Sequence, residues 1–583
     1  MSNSSMRCPR GRQLSVAARQ ASPRAGRPHR WHVGALSALS TLLSAASIGG
    51  TVTCTVACAT DDPVLALAGA RGLGAQGESA LSLQLATPGL CDGMGAPRSC
   101  DGSGCTASRG SVAGGASYGL PGGMAARPRM PSRYAASAGG FCEEARAEEP
   151  VAPLHLSVDD SASLAAPALV RSLIRRGRRP QATLIRSWEF LNYYSPPFIP
   201  AEPGEVRVAA ALSGCRSSGE LSLQVAVISA GRTPSTRPAL NLTFLIDTSG
   251  SMGGEGIERA RVALRALATS LRKGDIISAM TWATEQHALL EGHVVSGEDD
   301  PVLIAALQRL SASGSTDLHS ALVRGYELAA AHHSPERINR VVLISDGGAN
   351  VGNTDEELIG RHADAAGEDP EIYLAAVGVG ASGAYDDTIM DRVSDLGRGA
   401  HVYLDSDEEA RRMFTERFTE VLDVAVRDVK LSMTLPWYLS VRRFYGEEMS
   451  TDASAVRAQH LGPNDSMVFF QVLRACDPGR VRGADLLDLH VSWQLPGTRE
   501  QRELDLALPL SALANQDRAL SKASAIAVYA DSLRIAAGQS ESAARATLQQ
   551  ALDGVGATPG SDRDADLVEV ASLLETYLRL LRE

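Results

Sequence analysis

Between residues 240 and 425 the hydrophobic positions follow two alternating rhythms. Short apolar runs at 242–246, 275–283, 288–295, 338–345, 372–377 and 400–404 read as strands. Between them apolar residues recur every three or four positions, as in Ile257, Val262, Leu264, Leu267 and Leu271, which predicts helices at 257–271, 302–310, 318–331, 355–366, 385–396 and 408–424. Apolar runs without two-residue alternation suit strands covered on both faces. The expected fold is therefore α/β, with a doubly wound, mainly parallel sheet.

The flanks keep a different period. Residues 206–212 and 221–229 before this region, and 429–435, 439–444, 467–473, 486–494 and 502–508 after it, alternate every second position. That pattern predicts an antiparallel β-sandwich, and because its strands lie on both sides, the α/β domain is expected to be inserted into it. Upstream, residues 154–200 read as a short strand followed by two helices. The first, at 166–176, has Pro167 in its first turn and Gly177 as its stop; the second, at 185–194, ends at Pro196 and Pro197. From 512 onward the pattern is helical, with a Gly/Asp-rich break at 554–564. The expected division is a signal peptide or anchor at 1–59, a disordered Gly/Ala/Ser-rich linker at 60–150, and a helical leader at 154–200. Sandwich strands follow at 201–240, the α/β domain at 241–425, further sandwich strands at 426–510 and a helical C-terminal domain at 511–583.

Composition sharpens the N-terminal reading. Seven arginines between Arg7 and Arg30 precede any acidic residue, and residues 33–59 then run without a charge. Basic, then apolar, then small residues is the order of an export signal. Three outcomes fit it: a lipoprotein modified at Cys54 or Cys58, cleavage after Ala59, or an uncleaved anchor long enough to span a bilayer. Each places the rest of the chain in the cell envelope, periplasmic or at the surface. Residues 60–150 carry too little apolar surface to offset the entropy of ordering, and Cys91, Cys100, Cys105 and Cys142 in that region match no zinc spacing, so a disulfide-tied spacer of undetermined pairing is expected. Cys215 and Cys476 stand isolated. Net charge of −11 argues against a general nucleic-acid binder. Lysine occurs only at 273, 430 and 522 against a large arginine excess, which reflects a GC-rich genome rather than chemistry. The cluster Arg171, Arg175, Arg176, Arg178 and Arg179 reads as a solvated helix face with its C-terminal cap before it reads as an anion site.

In a doubly wound sheet, ligands bind outside the carboxyl ends of the strands. Three polar segments fall there. The first strand ends in Asp247-Thr248-Ser249-Gly250-Ser251, the strand ending at Ile344 is followed by Ser345-Asp346-Gly347-Gly348, and Thr316 opens a helix in Gly314-Ser315-Thr316-Asp317. Any one hydroxyl here is explained by helix capping. Asp247, Ser249, Ser251, Thr316 and Asp346 together offer five oxygen donors, the set a hard cation such as Mg²⁺ takes, with Mn²⁺ or Ca²⁺ as alternatives. His287, His293, His332, His333 and His401 are scattered and read as surface or satisfied loop residues.

The D-x-S-x-S segment, the downstream Thr316 and the strand-end Asp346 resemble the von Willebrand factor type A domain and its metal-ion-dependent adhesion site, over residues 241–424. The resemblance implies that Ser249, Ser251 and Thr316 bind metal through hydroxyls and that Asp247 and Asp346 bind directly or through water. It also implies that a carboxylate from a partner protein completes the coordination. The segments Ser157 to Ser163, Glu189-Phe190-Leu191-Asn192-Tyr193-Tyr194 and Asp346 to Gly352 are similar to a bacterial envelope family in which a leader precedes the type A domain and a C-terminal domain follows it. Asp160-Ser161 and residues 164–167 depart from that family's more polar, aromatic leader. No nucleophile elbow or Walker lysine occurs, so no catalytic residue is expected and the protein is not read as an enzyme. The expected function is metal-dependent binding of a protein partner, for adhesion or complex assembly at the envelope. The alternative is a structural envelope module whose metal site is filled by a carboxylate of its own.

Overall fold

The computed structural model describes residues 151–160, 162–215, 219–348, 371–381, 385–498, 500–514 and 518–581. The expected export segment at 1–59, the spacer at 60–150 with its cysteines, and the helix at 355–366 lie outside the described residues. Among the described residues no helix is long and apolar enough to cross a membrane.

After β1 (Leu154–Ser157) come α1 (Ala165–Arg175) and α2 (Ser187–Tyr193), then the hairpin of β2 (Arg207–Cys215) and β3 (Glu220–Ile228). The central region runs β4 (Ala239–Asp247), α3 (Glu255–Ala268), β5 (Ile276–Trp282), β6 (Gln286–Val294), α4 (Pro301–Leu307), α5 (Leu318–Ala331), β7 (Arg337–Ser345), β8 (Tyr373–Gly378), α6 (Asp387–Leu396) and β9 (His401–Tyr403). Beyond it lie β10 (Val426–Thr434), β11 (Leu439–Phe444), β12 (Glu448–Ser450), β13 (Gln459–Leu461), β14 (Ser466–Ala475), β15 (Leu486–Gln494) and β16 (Gln501–Pro509). The helices α7 (Arg518–Ala537), α8 (Glu541–Gly556) and α9 (Ala565–Leu580) follow.

The central sheet has the order β6-β5-β4-β7-β8-β9. Every pair is parallel except β5 with the edge strand β6. Alternate residues of β4 serve the two faces: Leu240, Leu242, Phe244 and Ile246 pack with Ile257, Leu264 and Leu267 of α3. Leu245 packs on the other side with Leu322 of α5 and Met390 of α6. Burial on both faces is why the strand reads as an unbroken apolar run, and each fully buried Leu, Ile or Phe contributes about 1.5–3 kcal/mol. The doubly wound α/β fold expected from the sequence is the fold observed.

Two antiparallel sheets share a second core. One has the order β12-β1-β10-β15-β16 with β13 paired to β10; the other is β11-β14-β3-β2. Leu154, Leu156, Leu431 and Met433 of the first meet Leu223, Val225, Phe469 and Leu473 of the second. β3 pairs with β14 from Ile228↔Ser466 to Glu220↔Arg474, so the chain leaves this sandwich after β3, builds the parallel sheet and returns at β10. On the outer face of the second sheet Ala226, Ile228, Val468 and Phe470 join a cluster with Ile526, Tyr529 and Leu533 of α7.

Several elements differ from the sequence reading. The short strand expected at the start of the leader is β1, but its place is not local to the leader: it lies between β10 and β12, hydrogen-bonded to both, because an isolated four-residue strand needs partners that local pattern does not reveal. The helix expected at 408–424 is broken into Asp407–Arg411, a wide π turn at Arg412–Glu416 and Phe418–Leu422. The wide turn re-phases the helix so that Met413 and Phe414 within it and Phe418, Val421 and Leu422 after it are all buried. Arg171 is no solvated residue. It is 3 % exposed, and its guanidinium bonds both oxygens of Asp405, at 2.8 and 2.7 Å, as well as Glu409 and the Tyr193 hydroxyl, each at 2.7 Å. His401, expected at a surface or loop position, is buried in β9, and Cys476, which stands apart from other cysteines in the sequence, is disulfide-bonded.

Candidate metal centre

The order of strands determines where a ligand can sit. From β4 the chain crosses to β5 on one side, while β7 adds on the other, which opens a crevice at the carboxyl ends of β4 and β7. Asp247 is the last residue of β4 and Asp346 the first after β7, so the two carboxylates flank that crevice. Both are nearly buried, at 0 % and 3 % exposure.

Three loops are laced together around them. The Asp247 Oδ1 atom accepts the Ser249 N–H at 2.8 Å, which folds the Asp247–Ser251 loop back on itself, and a tight turn at Gly250–Met252 leads into α3. The Ser249 and Ser251 hydroxyls lie 3.0 Å apart. The Gly250 N–H donates to the Gly314 carbonyl at 2.9 Å and the Ser313 N–H to the Thr248 carbonyl at 2.7 Å, joining this loop to the one that carries Thr316. Thr316 is 1 % exposed. In the third loop the Gly348 N–H donates to Asp346 Oδ1 at 3.3 Å, and a Cβ added at Gly348 would lie 3.4 Å from that oxygen and 4.0 Å from the Ser251 hydroxyl.

Capping does not account for these hydroxyls. The cap of α5 is Asp317, whose carboxylate accepts the Ser320 N–H at 3.1 Å, and Ser249 makes no side-chain cap bond to the turn it precedes. Sequence reasoning left out Ser345, whose hydroxyl donates to Asp247 Oδ2 at 2.7 Å while accepting the Gly347 N–H at 3.0 Å. Its position next to Asp346 at the end of a buried strand is the signal that identifies it. Gly347 is required by its φ of +86°; a Cβ there would also lie 2.2 Å from the Asp386 carbonyl oxygen.

Burial pushes the Asp247 carboxyl up to about 6, against the hydrogen bonds from Ser345 and Ser249, and the like charge of Asp346 adds to the rise. Among the described residues neither aspartate has a Lys, Arg or His ion pair. Two buried carboxylates without a side-chain cation, beside hydroxyls not used for capping, fit a hard divalent cation.

Residues 241–417 match the family model of the von Willebrand factor type A domain, so the protein carries a domain of that type. The chain is 30 % identical to "Uncharacterized protein YfbK" of Escherichia coli (strain K12), over 52 % of this chain and 53 % of that protein. It is 24 % identical to "Uncharacterized protein sll0103" of Synechocystis, over 37 % of this chain and 50 % of that one. It thus spans about half the length of these curated relatives. A solved "von Willebrand factor type A from Catenulispora acidiphila" aligns at a TM-score of 0.42 and 14 % identity, over 65 % of this chain and 99 % of that one. Domains of this type are commonly metal-dependent protein-interaction modules.

Proposed function

We propose that this type A domain binds a protein partner through Mg²⁺ held by Asp247, Ser249, Ser251, Thr316 and Asp346, with a carboxylate of the partner completing the coordination. The observation that carries the reading is the convergence of three hydrogen-bonded loops at one crevice, each bringing oxygen side chains to the carboxyl edge of the sheet. When bound, the ion supplies an electrophilic centre that attracts an anionic group. The chain's own residues position it: Ser345 fixes the Asp247 carboxylate, and the Gly250 to Gly314 bond holds the loop of Ser249 and Ser251 against that of Thr316.

The protein acts as a non-catalytic adhesion or assembly module, exported and tethered in the cell envelope by its N-terminal segment. The disulfide at Cys476 supports an oxidising compartment. The experiment compares the full chain with an Asp247→Ala/Ser249→Ala variant for Mg²⁺ and Mn²⁺ binding by calorimetry, and for partner co-purification from envelope extract in Mg²⁺ and in EDTA. Loss of both in the variant, and loss of the partner in EDTA, is the expected result. If both survive in the variant, the site assignment fails; if metal binding is lost but the partner stays bound in EDTA, the domain is a structural module instead.

A further inference from the structure

Where the leader runs off α2 toward β2, four parts of the chain close around a cavity of about 370 Å³. The leader supplies residues 192–200, and the sandwich supplies the end of β3 and the start of β14. The type A domain supplies the π turn at Arg412–Glu416 with the short helix after it, and α9 supplies its first turn. Wide turns of this kind are frequent at functional sites, and this one brings Arg412, Glu416 and Arg417 to one wall.

The charged groups on the walls already have partners. Arg417 pairs with Glu420 and lies 3.5 Å from Asp465 Oδ1. Arg412 stacks on Tyr193, 4.3 Å from the ring centre, donates to its hydroxyl at 2.9 Å and lies 4.0 Å from Asp566. Glu416, Glu420, Asp465 and Asp566 outnumber the two arginines on the lining, so a free anion meets an excess of negative charge.

The group left open is neutral. Asn192 is 1 % exposed; its Oδ1 atom accepts the Val468 N–H at 2.9 Å, while its Nδ2 atom has no hydrogen bond. An unmet buried amide donor costs about 1–3 kcal/mol, which an acceptor on a ligand removes. The Ser195 and Ser466 hydroxyls lie 3.0 Å apart, and each can turn to a ligand as donor or acceptor. Pro196, Pro197, Phe198 and Ile228 make the apolar part of the lining, and the neighbouring Ile199 is 51 % exposed.

We propose that this cavity binds a neutral saccharide of one or two rings. A sugar hydroxyl both donates and accepts, so it serves the Asn192 amide, the serine hydroxyls and the carboxylate edges together. The C–H face of a pyranose ring then lies on the proline and phenylalanine wall. A simple ion leaves that wall unused, and a purely apolar ligand leaves the Asn192 donor unmet. None of the five metal-centre residues lines the cavity, so the two sites are independent.

The test uses the full chain in EDTA, which silences the metal centre, with cellobiose and N,N′-diacetylchitobiose as probes. At least one of them binds with a Kd of about 1 mM or lower in calorimetry, and saturation-transfer NMR places its ring C–H protons against the protein. Asn192→Asp keeps an acceptor for the Val468 N–H but replaces the Nδ2 donor by an oxygen, and it weakens binding about tenfold or more. Phe198→Ala, at the half-buried wall, weakens binding about three- to tenfold. Absence of binding by both probes at about 10 mM overturns the proposal, as does unchanged affinity in the Asn192→Asp chain. Should that chain fail to fold, Phe198→Ala decides: undiminished affinity puts the saccharide elsewhere.

Discussion

The two edges of the parallel sheet treat buried carboxylates in opposite ways. At the amino-terminal edge Asp275, just before β5, is 1 % exposed and fully engaged. Arg237 donates to its two oxygens at 3.1 and 2.6 Å, and the N–H groups of Leu240 and Arg272 donate at 2.9 and 2.7 Å. That arginine also stacks on Phe418, its guanidinium carbon 5.3 Å from the ring centre. At the carboxyl-terminal edge Asp247 and Asp346 are as deeply buried, yet they keep only hydroxyl and N–H neighbours. One edge closes its charge with a cation from the chain. The other leaves its charge for a cation from solution, and the difference separates an acid that holds the fold from acids that bind.

Substitutions at each edge test that separation. The largest effect is expected from Arg237→Ala, which strands Asp275 in the interior: a loss of about 3–5 kcal/mol in denaturant unfolding, with metal affinity unchanged in whatever fraction stays folded. A comparable stability loss in Asp247→Ala would erase the contrast between the edges. Next, Ser345→Ala frees Asp247 from its outer partner and weakens Mg²⁺ binding by about 10–100-fold in calorimetry. Gly347→Ala imposes a side chain at positive φ against the Asp386 carbonyl, and about 1–3 kcal/mol of stability is lost together with the placement of Asp346. Asp317→Ala removes the cap of α5, lowering stability by about 1 kcal/mol; metal affinity changes little if Thr316 is held by the loop rather than by the cap.

Much of the parallel sheet is legible in the sequence because each strand announces itself locally. A strand buried on both faces, such as β4, is an apolar run whatever it packs on, and its end is marked by Asp247. The candidate site is legible for a related reason: Asp247, Ser249, Ser251 and Asp346 follow strand ends, Thr316 precedes a helix, and order along the chain then places them at one edge. Features that depend on distant partners are not legible. The pairing of β1 with β10 and β12, the burial of Arg171 against Asp405 and Glu409, and the bonded state of Cys476 all join residues far apart in the chain. The cavity at the end of α2 is built from such places, so no local spacing links Asn192, Ile228, Arg417 and Ser466. The break in the helix after β9 escapes because a π turn leaves the residue types unchanged while shifting the phase of the apolar stripe.

The pairing of β3 with β14 also has a bearing on how the molecule is made. A chain growing from its amino terminus completes β2 and β3 early, but the strand that covers the edge of β3 arrives only after the whole type A domain has been synthesised. During that interval a nine-residue strand, most of it apolar, shows its bare edge to any other nascent copy. Yield in the cell is therefore expected to depend less on the stability of the finished sandwich than on how long that edge must wait.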